Sequence, residues 1–168
     1  MLQHANTAIE PPPLPTLGHD APPRQPSAAE AALLALADPS LNSRISLIGP
    51  HTLELLCALL RRGSADVSAT RMSDRPHLGT ADVAIIPHIA SPDCLGHAIT
   101  HARRALAPLG TVAIHLAADP AGAPAGALAQ QAGHLLLLHG FTAVRMVDFS
   151  GETLIRAELP LHGRLACA

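Results

Sequence analysis

The sequence predicts an α/β fold: a mostly parallel, doubly wound Rossmann-like sheet with helices on both faces and a C-terminal antiparallel β-hairpin. Three observations carry this. Short apolar runs recur at Ile45–Ile48, Val83–Ile86 and Thr111–Leu116, as expected of strands buried on both faces. Helix-length stretches with apolar stripes separate them, as crossovers between parallel strands require. Finally, Thr142–Asp148 and Thr153–Glu158 flank Ser150-Gly151, the pattern of a tight hairpin.

The elements follow in order. Residues 1–26 hold seven of the sixteen prolines, in Pro11-Pro12-Pro13-Leu14-Pro15 and Pro22-Pro23-Arg24-Gln25-Pro26. Proline lacks an amide donor and fixes φ, so a disordered or polyproline-like tail is expected there. The folded domain is expected over residues 27–168. It opens on Ser27-Ala28-Ala29-Glu30, a capping box for a helix that stops before Pro39. After a turn at Asn42-Ser43 comes the first strand, Ile45–Ile48. A helix over Thr52–Arg62 carries Leu53, Leu56, Leu59 and Leu60 and ends at Gly63. Asp66–Thr70 is a second strand, residues 71–80 are polar and turn-rich, and Ala81–Pro87 is a third strand. Ser91-Pro92-Asp93 starts a helix running to about Leu106, closed by Pro108 and Gly110. Thr111–Leu116 is the next strand, and a helix over Gly126–His139 ends at Gly140. The hairpin completes the chain.

Composition narrows the function. The 168 residues are 48% apolar and only 14% charged, with no Trp or Tyr; a typical domain has about a quarter charged residues. The core must be aliphatic. A net charge of −2 with histidine neutral and only two Phe provide neither the basic footprint nor the stacking platforms of nucleic-acid binding. No stretch reaches the roughly 20 apolar residues of a membrane span, and no signal peptide is visible. Cys57, Cys94 and Cys167 are an odd set without paired spacing, which fits a reducing compartment. A cytoplasmic protein is expected.

Three segments in the second half are informative together. Ala81-Asp82-Val83-Ala84-Ile85-Ile86-Pro87-His88-Ile89 is a strand leading into a loop. Ala98 to Ile114 is a helix, a Pro/Gly turn and a strand, and His139-Gly140-Phe141-Thr142 opens the hairpin. Over about residues 81–159 this resembles the class I S-adenosylmethionine-dependent methyltransferases. The resemblance implies that the Gly49-Pro50-His51 turn would face the cofactor and that Pro87 and His88 would border the methyl acceptor.

The first half departs from that family. Its first turn is normally rich in glycine, whereas here Gly49 stands alone and Pro50 removes a backbone donor. The family carries an acidic residue at the end of the second strand, accepting from ribose hydroxyls. Here Ser68-Ala69-Thr70-Arg71-Met72 has no carboxylate before Asp74, which could replace it if Ser73–Pro76 folds back. Residues 71–80 are too few for the helix, strand and helix that the family places there.

Other candidates have simpler alternatives. Glu54, on the first cofactor-side helix, also suits a plain surface position. His51 lies at a helix start, where the dipole disfavours the imidazolium. Cys94, His97 and His101 are residue types that could bind a transition metal, with His97 and His101 at i,i+4. Ser91 with His88 and Asp93 suggests a hydrolase, but Ser91 before Pro92 is better read as an N-cap. Arg103 and Arg104 suit a solvated helix face. A missing edge strand and Leu135–Leu138 suggest a homodimer or a protein partner.

The expected function is a non-catalytic, methyltransferase-like domain that binds a ligand or partner, with either no cofactor or S-adenosylmethionine. The alternatives are an active S-adenosylmethionine-dependent methyltransferase and a metal-binding protein that uses Cys94, His97 and His101.

Overall fold

The computed structural model describes residues 26–50, 52–75, 77–117 and 125–161. The proline-rich segment over 1–25, His51 and Cys167 lie outside the described residues. In chain order the elements are α1 (Ala28–Ala37), β1 (Arg44–Ile48), α2 (Leu53–Arg61), β2 (Asp66–Thr70), β3 (Ala81–Ile89), α3 (Pro92–Ala105), β4 (Leu106–Leu116), α4 (Ala125–Leu138), β5 (Thr142–Phe149) and β6 (Glu152–Glu158).

Among the described residues these strands form one six-stranded sheet in the order β2-β1-β3-β4-β6-β5. β1 pairs in parallel with both β2 and β3, and β3 pairs in parallel with β4. β6 runs antiparallel to both β4 and β5. The predicted doubly wound sheet and terminal hairpin are therefore present. The chain passes outward from β1 to β2 and then crosses back to β3, so the order reverses beside β1. In such sheets the crevice for a ligand opens at the strands' carboxyl ends at that reversal.

Both faces of the sheet are covered, as the unbroken apolar runs required. One layer packs Leu33, Leu34 and Ala37 of α1 and Leu55 and Leu59 of α2 on Ile45, Leu47, Val83 and Ile85. The opposite layer packs Leu95 and Ile99 of α3 and Ala132 and Leu136 of α4 on Ala84, Ile86, Val112 and Ile114. Alternate residues of β3 and β4 thus serve opposite cores.

Local signals set several boundaries. The Ser27 hydroxyl accepts from the Glu30 amide while the Glu30 carboxylate accepts from the Ser27 amide, completing the capping box. After α4, Gly140 N donates to Leu137 O and Phe141 N to Leu136 O, a Schellman closure that leaves Phe141 buried. The hairpin turns through Ser150 and Gly151, both at positive φ, as a two-residue type I′ loop requires.

One boundary differs from expectation. α3 runs straight into β4, which begins at Leu106 and not at Thr111. Leu106 pairs with Ala81, and pairing resumes at Thr111 with Val83. Residues 107–110 therefore bulge out within the strand, because the Leu106 backbone finds a partner before the Pro108-Leu109-Gly110 turn is made. At the amino edge of the sheet, Arg44 donates to Asp82 from its backbone N and its guanidinium, at 2.9 and 2.7 Å, tying β1 to β3.

Candidate functional site

The β1–α2 turn and the chain leaving β2 enclose a cleft of about 790 Å³. Gly49, Pro50, Thr52 and Glu54 line one side, and Thr70 to Asp74 line the other. Gly49 donates from its amide to Thr70 O at 3.0 Å, closing the floor between the two strands. Its φ of +118° is open to glycine and strained for other residues. A side chain there would also meet the Met72 methyl group, 3.6 Å from the position of its Cβ.

α2 starts at the cleft, which Thr52, Leu53 and Glu54 line. Thr52 precedes the helix in a helical conformation, and its side chain caps no amide. The amino end of α2 is therefore an electropositive edge, offset by Glu54 in its first turn. On the other wall, Arg71 follows the last residue of β2.

Asp74 is committed to its own loop. One carboxylate oxygen accepts from the Arg71 amide at 3.0 Å and the other from the Ser73 hydroxyl at 3.3 Å. The Asp74 amide in turn donates to Arg71 O at 3.0 Å. The carboxylate that the sequence offered as a ribose acceptor thus closes a short turn over residues 71–74.

Pro87 and His88 lie elsewhere along the carboxyl edge and do not line this cleft. Pro87 is buried and His88 is exposed. The strand pairing shifts here: β3 moves from Ile86 to Ile89 while β4 moves only from Ile114 to Leu116, the count of a one-residue bulge. Gly49, Pro50 and Asp74 are thus brought together, while Pro87 and His88 form a second locus.

α3 disperses the sulfur and imidazole groups that its spacing suggested as metal ligands. Cys94 and His97 are exposed, and His97 Nδ1 lies 3.0 Å from Asp93 O. His101 is buried, with Nε2 3.4 Å from the Thr70 hydroxyl. Burial pushes the His101 pKa down, against an opposing pull from the Asp74 carboxylate. Among the described residues no group of three or more His, Cys, Asp or Glu could hold a metal ion. Ser91 is the N-cap of α3, accepting from the Cys94 amide at 3.3 Å, so its hydroxyl is not aimed as a nucleophile.

His115 and Glu152 form a pair that the sequence did not single out. His115 is 5% exposed. Its Nδ1 lies 2.7 Å from Pro87 O and its Nε2 2.9 Å from Glu152 Oε2. The one available signal was an imidazole inside an otherwise apolar central strand, where a polar side chain needs partners.

Comparison with solved structures assigns the fold to a class. The S-adenosylmethionine-dependent methyltransferase from Mesorhizobium loti superposes with a TM-score of 0.53 at 15% identity, over 78% of this chain and 98% of that one. The tRNA (m1A58) methyltransferase TrmI from Aquifex aeolicus gives a TM-score of 0.57 at 10% identity, over 80% and 70%. For the CurJ carbon methyltransferase the values are 0.51 and 16%, over 73% of this chain and 50% of that one; this chain spans half the length of that protein. No protein-family model and no curated protein sequence matches. At these identities the likeness shows the fold: a methyltransferase-like Rossmann-type domain.

Among the described residues no helix is long and apolar enough to cross a membrane.

Proposed function

We propose that this domain binds a small ligand in the β1–β2 cleft and does not transfer a methyl group. The observation that carries this is the end of β2. A nucleoside cofactor held as in the methyltransferases needs a carboxylate there to accept from the ribose hydroxyls. Thr70 and Arg71 occupy that position, and Asp74 spends its carboxylate on the Arg71 amide and the Ser73 hydroxyl. Pro50 also takes a donor from the turn that would hold the methionyl part. These residues do not fit S-adenosylmethionine.

The cleft still suits a small molecule, since ligand sites commonly measure roughly 300–1,000 Å³. Its positive features are the amino end of α2 and the Arg71 guanidinium, both of which favour an anionic group on the ligand. A thermal-shift panel tests this reading. Small carboxylates and phosphates should raise the melting temperature, whereas adenosine, S-adenosylmethionine and S-adenosylhomocysteine should not. Transfer of a methyl group to any acceptor, seen by mass, would establish the active methyltransferase instead.

Among the described residues β2 lies at one edge of the sheet, with no further strand before β3. An unpaired edge can receive another chain, and we propose it as the contact for a second copy or a protein partner.

A further inference from the structure

We propose that His115 and Glu152 are a proton-carrying positioning pair that sets the Pro87–His88 bulge, and with it the exposed His88 imidazole, at the carboxyl edge of the sheet. This does not depend on what the β1–β2 cleft binds.

The bulge comes first. Where β3 has one residue more than β4, the ladder skips, and backbone groups beside the skip need other partners. The Pro87 carbonyl has one in His115 Nδ1, 2.7 Å away. A carbonyl can only accept, so Nδ1 carries a hydrogen. The far side of the same ring faces Glu152 Oε2 at 2.9 Å.

A neutral imidazole protonated on Nδ1 presents only a lone pair at Nε2, and an ionised carboxylate also presents only lone pairs. The two can bond only with a proton between them. Either an imidazolium donates to a carboxylate, or a carboxylic acid donates to the imidazole. In both cases the pair holds one proton more than a neutral histidine beside an ionised glutamate. Without that proton the neutral ring can keep only one of its two bonds, Nδ1–H to Pro87 O or, in the other tautomer, Nε2–H to Glu152 Oε2. His88 is the next residue, and its ring meets His115 edge-on, with centroids 6.0 Å apart and planes at 75°. What the β3 edge presents to a ligand is therefore coupled to one proton inside the sheet.

The neighbouring charged groups are accounted for. β3 contributes His88 and β6 contributes Glu152. Farther along β6, Arg156 donates to Leu36 O at 3.2 Å. On β5, Asp148 Oδ1 accepts from the Thr153 hydroxyl at 3.5 Å. On α1, which also packs against β4, Glu30 is held in the capping box and Asp38 caps the opposite end. None of these replaces Glu152 as the partner of Nε2.

The test is nitrogen-detected NMR of the full chain between about pH 5 and 8, where imidazole changes charge. In the wild type, the His115 ring should show Nδ1 protonated and Nε2 sharing a proton with Glu152 at the acidic end. The His88 amide signal should move in step with loss of that proton. Glu152→Gln supplies an amide donor to Nε2, so its His115 should keep Nδ1 protonated without a shared proton, and the His88 amide signal should lose the change that follows that proton. A wild-type His115 with a bare Nδ1, or with a bare Nε2 beside an ionised Glu152, at the acidic end would overturn the proposal. So would a His88 response unchanged in Glu152→Gln. The wild-type tautomer decides the matter alone should the variant not fold.

Discussion

His101 shows how one buried side chain imposes a pH dependence. Burial pushes its pKa below the ordinary histidine value of 6.5. The unfolded chain therefore takes up a proton at His101 at a pH where the folded chain still resists it. The stability this residue contributes is full above the ordinary value and declines as pH falls from there to the folded value. The urea midpoint should fall across that window, and His101→Gln should flatten that part of the curve. Gly110 makes a different demand. A Cβ there would sit 2.8 Å from a Leu106 methyl, 2.9 Å from Ala107 O and 3.2 Å from Asp82 O. Two of these atoms are backbone and cannot swing aside. Gly110→Ala should cost about 1–3 kcal/mol in denaturant unfolding, the usual range for overpacking.

The elements divide by how local their determinants are. The capping box at Ser27, the N-cap at Ser91, the Schellman closure at Gly140 and the hairpin at Ser150-Gly151 each depend on residues a few positions apart. All four were legible in the sequence. Ser27→Ala should lower stability by about 1 kcal/mol, as loss of an N-cap generally does, readable as a drop in melting temperature. The start of β4 was not legible, because Leu106 enters the strand only by pairing with Ala81, 25 residues earlier in number. The candidate site divides the same way. Its turn at Gly49 followed from a strand–turn–helix pattern. The sequence offers Asp74 as a substitute ribose acceptor on condition that its loop folds back, but its engagement with Arg71 and Ser73 depends on loop geometry. The His115–Glu152 pair spans 37 positions and exists only because β6 returns beside β4. No local pattern announces such a pair. The i,i+4 spacing of His97 and His101 was read correctly as helical, yet the two rings differ sharply in burial because α3 packs along that side.

For the molecule as a whole, the decisive feature is the short passage from β2 to β3. It leaves β2 at the sheet edge and leaves the cleft without the wall that further elements would supply. The exposed edge predicts self-association: light scattering across a concentration series should show mass rising above that of one chain. A constant monomer mass would remove the edge as a contact between copies. On our proposal the cleft takes a ligand other than S-adenosylmethionine, because Arg71 follows β2 where a sugar-binding carboxylate would be needed. Calorimetric titration with S-adenosylmethionine tests this most directly. No heat of binding is expected up to millimolar ligand, whereas a saturable one-site isotherm with a micromolar dissociation constant would contradict the account.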